Sequence, residues 1–176
     1  MKKVRLKYLE ESDYSAWYEG FSNRRPSQSS FDDGLLDMSI CSKEWFADLV
    51  AKHEKFREQD QQYIWAVYDE NSGKHVGMFN LVTLARSPLD WAEIGYSIHN
   101  QYWRQGYASA ALEELKRLSR QLGFHRLEAH VNPQNVASKN LLNKSAFTNE
   151  GIRKSFLKEG ETWEDKEIFS YILDET

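Results

Sequence analysis

The 176-residue chain has a single cysteine, Cys41. One thiol closes no internal disulfide and removes every cysteine-cluster metal motif. A block of positive charge is missing as well: 23 Lys and Arg stand against 27 Asp and Glu, a net charge of −4. A nucleic-acid surface therefore has no electrostatic footing, whereas mild acidity is compatible with a cationic acceptor. No apolar run reaches membrane-spanning length. The opening Met1-Lys-Lys-Val-Arg-Leu-Lys7 runs into alternating residues without a signal-like apolar stretch. Neither a Walker phosphate loop nor a dinucleotide glycine set occurs, which argues against nucleoside triphosphates and nicotinamides. His125-Arg-Leu-Glu-Ala-His130 looks metal-like, but two histidines of opposite parity in a strand face apart, so no metal is expected. These absences lead to the expectation of a cytoplasmic protein that uses no membrane, nucleic acid or metal.

What is present fits one globular domain over residues 1–176. Hydrophobic residues make up 40% and aromatics 14%, enough for a core at this length. Val4, Leu6 and Tyr8 alternate with Arg5 and Lys7 as in a half-buried strand. Ser12 is placed to cap a short helix bearing Tyr14, Trp17, Tyr18 and Phe21. Periodicity fails from Ser22 to Cys41, and so long an irregular stretch predicts a binding element or poor order. A helix opened by Ser42 follows, with Trp45, Phe46, Leu49, Val50, His53 and Phe56 on its apolar positions. Tyr63–Tyr68 and His75–Leu84 flank a turn at Asn71–Gly73 and read as a hairpin. Trp91–Ile98 is a third extended run. Ala108, Ala111, Leu112, Leu115, Leu118 and Leu122 form one apolar helical stripe, ended by Gly123. Arg126–Val131 reads as a strand, Asn135–Ser145 as a helix, and Phe147 onward and Glu164–Leu173 as two closing strands. That order predicts an α/β (α+β) fold: a mixed, mostly antiparallel sheet of about six to seven strands with helices on both faces. The six tryptophans are expected mostly in the core, with Trp91 and Trp103 the two assigned to a cleft.

The informative stretch is Ile94-Gly-Tyr-Ser-Ile-His-Asn-Gln-Tyr-Trp-Arg-Gln-Gly-Tyr-Ala-Ser-Ala-Ala-Leu112. It passes from strand through a polar turn into a helix, with Gly106 and Ala108 in the helix's first turn. Unpartnered amides and the positive end of the helix dipole make such a start a phosphate site, and small residues let the phosphate approach. Gly106 could also do no more than ease a tight turn. The positions Trp103, Arg104, Gln105, Gly106, Tyr107 and Ala108 resemble the acyl-CoA motif Arg/Gln-x-x-Gly-x-Gly/Ala of the GNAT superfamily, with Trp where Arg or Gln is usual. Together with Glu93-Ile-Gly-Tyr96 they look like the branch containing ribosomal-protein serine and alanine N-acetyltransferases. About thirty residues on, Asn135-x-x-Ser138-x-x-x-Leu142, ending in Phe147, is similar to the second motif of that superfamily. Ala146 stands where glycine usually precedes the Phe.

The resemblance implies an N-acetyltransferase with acetyl-CoA as cosubstrate and a primary amine as acceptor, either a protein N-terminus such as that of a ribosomal protein, or a small molecule such as an antibiotic or polyamine. An acyl-CoA-binding module without turnover is the alternative from another class. It implies a pyrophosphate held by backbone amides of Arg104, Gln105, Gly106, Tyr107, Ala108 and Ser109, and pantetheine along Tyr96, Ser97 and Ile98, where a backbone N–H would meet the oxyanion. Asn135 would bond the pantetheine arm, and is equally suited to be a helix cap. Ser138 would protonate the thiolate. Glu93 shares a strand face with Trp91, Gly95 and Ser97 and is the expected base, acting through water; a structural ion pair is the competing role. Acceptor choice is expected to rest on Ser22–Cys41 and Phe156–Trp163. Strand edges allow either a monomer or a homodimer.

Overall fold

The computed structural model describes residues 2–173. In chain order the elements are β1 (Val4–Lys7), α1 (Tyr14–Ser22) after a 3-10 turn at Glu11–Asp13, α2 (Lys43–Glu58), β2 (Gln62–Asp69), β3 (His75–Ala85), β4 (Trp91–Ile98), a second 3-10 turn at Asn100–Tyr102, α3 (Tyr107–Gln121), β5 (Arg126–Val131), α4 (Val136–Lys144), β6 (Thr148–Glu159) and β7 (Thr162–Ile172). The strands form a seven-stranded sheet in the order β1-β2-β3-β4-β5-β7-β6. β1–β2, β2–β3, β5–β7 and β6–β7 pair antiparallel, and β4–β5 pair parallel. The expected mixed, mostly antiparallel sheet is the one observed. Contact density divides the chain into two compact units.

The first unit comprises the chain up to Val82 together with Gly95–Leu115. An apolar cluster rich in aromatic rings joins α1 and α2 to β2: Trp17 packs on Phe46 at 4.8 Å between ring centres, with Leu9, Met38, Cys41, Ala66 and Tyr68 around them. Because strand side chains alternate, Trp65 and Val67 must face the other side of β2, and both are buried too. Both faces of β2 are therefore covered. Ser42 caps α2 as expected, its hydroxyl accepting from the Trp45 amide at 3.2 Å. Ser12 does not cap α1. It lies inside the 3-10 turn, and the Asp13 carboxylate accepts from the Glu10 amide at 2.9 Å instead. Asp69 builds the β2–β3 turn by accepting from the amides of Asn71 and Ser72, each at 2.9 Å.

The stretch after α1 has no helix or strand before α2, as its lost periodicity implies, but it is pinned. Arg24 pairs with Asp32 at 2.7 Å with both side chains buried, and its Nε donates to the Gly34 carbonyl at 2.6 Å. Asn100, just past β4, donates to Asp32 Oδ2 at 2.9 Å and accepts from the Arg25 amide at 2.7 Å. These bonds satisfy a buried charge and order the loop, so the reading of poor order is set aside.

The second unit comprises Thr83–Ile94 and everything from Lys116 onward. Phe124, Leu127, Ala129, Leu142, Phe147, Ile168 and Phe169 supply its core. Lys116 is almost fully buried, its Nζ donating to the Ser145 carbonyl at 2.6 Å and lying 4.1 Å from the centre of the Tyr171 ring. α4 begins with Asn135 as its cap and closes on Ala146, which has φ 60. That left-handed conformation explains why glycine suits the position: a Cβ is strained there. The tryptophans depart from expectation. Of the four expected in the core, Trp17 and Trp65 are buried among the described residues, while Trp45 and Trp163 are exposed, Trp163 by 61%.

Candidate active site

Among the expected cofactor residues, Tyr96, Ser97, Ile98 and Arg104–Ser109 all fall in the first unit. The turn before α3 is built from two left-handed residues, Arg104 at φ 59 and Gly106 at φ 87. Gly106 precedes the helix rather than sitting in its first turn; its carbonyl accepts from the Ala110 amide at 3.2 Å, so it occupies the cap. Beside this turn lies an open hollow of about 600 Å³ lined by Lys2, Lys3, Asn71, Gln105, Gly106 and Ser109. The start of α3, with the dipole's positive end, and the two basic residues Lys2 and Lys3 thus line one space, an arrangement suited to a polyanion. A Cβ on Gly106 would meet nothing nearer than Lys2 Cγ at 3.8 Å, so the glycine is required by its φ and not by crowding.

Tyr107 opens α3 and ties the turn to the β2–β3 hairpin. Its hydroxyl donates to Asp69 Oδ2 at 2.6 Å and receives Lys2 Nζ at 3.2 Å. The hydrogen bond from Tyr107, with those from the Ser72 amide and hydroxyl and the Asn71 amide, outweighs burial and holds the Asp69 carboxyl down to about 2. Trp103, unusual for the motif, hydrogen-bonds through its indole N–H to the Ile98 carbonyl at 2.7 Å and so staples the turn to the end of β4.

β4 supplies the strand that the motif leaves. Its parallel ladder with β5 covers Trp91–Glu93 opposite Arg126–Glu128, and β4 continues to Ile98 beyond it. The His99 amide donates to the Val76 carbonyl of β3 at 2.9 Å. By strand alternation, the Ser97 backbone also turns toward β3, and the amides of Tyr96 and Ile98 turn to the opposite edge. That is the orientation an oxyanion donor near Tyr96–Ile98 needs. The Tyr96 ring stacks on Phe79 at 5.4 Å, Ser97 is exposed and Ile98 is buried.

Glu93, Asn135 and Ser138 belong to the second unit. Asn135 Oδ1 accepts from the Ser138 amide at 3.1 Å, so the capping role is realised. Glu93, with 34% of its side chain exposed, faces His130 Nδ1 at 3.0 Å, and His130 Nε2 lies 3.0 Å from Glu128. Burial pulls the His130 ring toward its neutral form, but its hydrogen bonds to Glu93 and Glu128 and the negative charge of these carboxylates outweigh it and hold its pKa above the ordinary value.

Sequence reasoning missed three lining residues and the histidine that pairs with Glu93. Lys2, Lys3 and Asn71 reach the hollow only through the β1–β2–β3 pairing, which no local motif announces. The sequence pairs His130 with His125, which is exposed and on the other parity. The signal that finds it is parity: Arg126, Glu128 and His130 share one face of β5, and Glu93 stands opposite Glu128 in the ladder. Among the described residues no helix is long and apolar enough to cross a membrane.

Comparison with known proteins gives concordant results. A family model described as an acetyltransferase (GNAT) domain matches residues 3–148. The ribosomal protein uS5-alanine N-acetyltransferase of Escherichia coli (strain K12) is 25% identical over 132 residues, covering 74% of this chain and 68% of that one. The solved RimJ of Mycobacterium smegmatis in complex with CoA-disulfide matches with a TM-score of 0.75 at 21% identity, covering 96% of this chain and 81% of that one. A spermidine N-acetyltransferase chimera from Vibrio cholerae and hSSAT matches with a TM-score of 0.71 at 16% identity, over 97% and 95% of the two chains. At these identities the two structures establish a shared fold.

Proposed function

The chain belongs to the GNAT acetyltransferase family and is an N-acetyltransferase; we propose that it carries an acetyl group from acetyl-CoA straight to a primary amine, the acceptor being a protein N-terminal α-amine such as that of a ribosomal protein. The observation that carries the cofactor assignment is the left-handed turn before α3, set beside Lys2 and Lys3. Its amides, from Arg104 to Ser109, take the pyrophosphate. The pantetheine runs along Tyr96–Ile98, whose outward amides place a donor for the developing oxyanion. Asn135 spends its Oδ1 on the helix cap, so its amide nitrogen is the atom assigned to the pantetheine arm. Ser138 protonates the departing thiolate and Glu93 takes the proton of the incoming ammonium, so no acyl-enzyme is formed. The protein acts as one domain, in the cytoplasm.

The E. coli relative is named as an N-acetyltransferase of an alanine of ribosomal protein uS5, and this supports a peptide acceptor here. The likeness to a spermidine N-acetyltransferase keeps a small amine as the second reading. The deciding experiment offers acetyl-CoA with peptides bearing N-terminal Ala or Ser and, separately, with spermidine, and locates the acetyl group by mass spectrometry. Acetylation at the peptide α-amine is the expected result. Acetylation of spermidine alone moves the protein to the small-molecule class.

A further inference from the structure

The ring of His130 carries a carboxylate at each nitrogen: Glu93 Oε1 lies 3.0 Å from Nδ1 and Glu128 Oε2 lies 3.0 Å from Nε2. A neutral imidazole has one N–H and one lone pair, so it donates to only one of them. Both contacts are favourable together only when the ring takes a second proton. The surrounding charges favour the same state. Glu128 is held by Arg126 at 2.6 Å and by Arg153 at 3.2 Å, and Arg126 also reaches Glu150. Three carboxylates (Glu93, Glu128 and Glu150) against two guanidiniums leave one negative charge, which a proton on His130 cancels. Phe156 of β6 closes the ring edge-on at 5.0 Å. β7 sets Ile168 opposite His130, and the neighbouring Lys166 is paired with Glu159. The His130 side chain is 6% exposed and that of Glu128 2%, while that of Glu93 is 34% exposed. Of the two carboxylates on the ring, Glu93 is the one open to solvent.

We propose that the base of the acetyl transfer is the Glu93–His130 pair, His130 being the positioning residue that stores the proton Glu93 removes. This rests on the acetyltransferase reading above. An isolated carboxylate has a pKa of about 4.3 and an α-ammonium one of about 7.7–8.0, a poor match for proton transfer near neutrality. An imidazole starts at about 6.5 and is lifted here by two carboxylates, which closes most of that gap. In the reactive state the ring is neutral, with Nε2–H donating to Glu128 and the Nδ1 lone pair facing Glu93. The acceptor R–NH3⁺ gives a proton to the Glu93 carboxylate, which passes it to Nδ1; the imidazolium then donates to both carboxylates. The neutral amine attacks the thioester carbonyl and the C–S bond breaks; the thiolate takes its proton from Ser138, whose hydroxyl is restored by the proton lost from the attacking nitrogen. The imidazolium returns its proton to solvent, so one proton is released per transfer. Glu128, fixed by the two arginines, sets the tautomer that keeps Nδ1 as the acceptor.

The test combines histidine NMR with pH–rate profiles on the full chain. In the wild type the His130 ring is expected to titrate above about 6.5, and Glu93→Gln is expected to move that midpoint down. The kcat/KM profile for a peptide acceptor should show two rising limbs, one at the His130 midpoint and one at the amine's own pKa. His130→Gln should lose the first limb and about ten- to a hundredfold of kcat/KM near neutral pH, with KM for acetyl-CoA unchanged. Glu128→Gln, which disturbs the tautomer without removing the ring, should lower the same midpoint and is the second variant should His130→Gln fail to fold. A limb that persists in either folded variant at its wild-type midpoint overturns the proposal, as does a His130 titration indifferent to Glu93→Gln. Turnover that lacks the His130 limb in the wild type overturns this proposal alone, whereas a wild type that transfers no acetyl group to any amine overturns the acetyltransferase reading and this proposal with it.

Discussion

Ser109 is the residue that most cleanly separates binding from folding. It lies in the first turn of α3 and lines the hollow beside Lys2 and Lys3. A glutamate at a helix start meets the positive end of the dipole, so Ser109→Glu should leave the free protein as stable or gain up to about 1 kcal/mol. The same charge opposes a pyrophosphate. CoA at a hundredfold excess over its dissociation constant should stabilise the wild type by about 2.7 kcal/mol, and this thermal shift should vanish in Ser109→Glu. An undiminished shift would put the pyrophosphate elsewhere. Gly106→Glu is a poorer probe because its φ of 87 strains any side chain. Ser138 is tested by kinetics. Its backbone amide, rather than its hydroxyl, meets the Asn135 cap, so Ser138→Ala should keep that cap and the acetyl-CoA KM. A kcat lower by about ten- to a thousandfold is expected, since thiolate protonation matters only once the C–S bond is breaking. Wild-type kcat would reduce Ser138 to a helix-turn residue.

The elements show what local sequence can and cannot reveal. β4 and β5 begin and end where alternation places them, and α4 is bracketed by Asn135 and Ser145 as its caps. Period and cap chemistry are local, so they are legible. The Glu10–Asp13 bond that replaces Ser12 as a cap is nearly local too, but the acidic residue acting from the far end of the turn hides it behind a better-known cap type. The pins of the loop after α1 are not local at all: Asn100 reaches Arg25 and Asp32 across the chain, and nothing in either segment alone indicates the other. His130 escaped for a related reason, since its meaning depends on which strand lies beside β5. The end of α4 yields a prediction of its own. Ala146 holds φ 60, so Ala146→Gly should remove a left-handed strain and stabilise the fold by about 1 kcal/mol in urea unfolding. No gain would mean that the greater entropy of the unfolded glycine chain cancels the relief.

At the scale of the molecule, stability and function draw on different histidines. His75 and His99 are buried against each other, Nδ1 of the first and Nε2 of the second 3.0 Å apart. Desolvation depresses both pKa values, and each ring is folded in its neutral form. A depressed histidine means the unfolded chain binds protons first, so stability should fall as pH drops below about 6.5. His130 acts with the opposite sign: its pKa is raised, and its contribution is intact in that window and is lost only as pH rises through its folded value. Tm measured from pH 7 to pH 5 should therefore decline well above the carboxylate range, and less steeply in His99→Gln. A flat wild-type Tm over that interval contradicts the assignment. The central claim is that the chain is a working acetyltransferase rather than an acyl-CoA receptor, and one measurement tests it most directly: free CoA thiol released from acetyl-CoA with and without a primary amine. The account predicts release that depends on the amine, saturates with it and is abolished in Ser109→Glu. Acetyl-CoA that binds yet stays intact with every N-terminal peptide and small amine would contradict it.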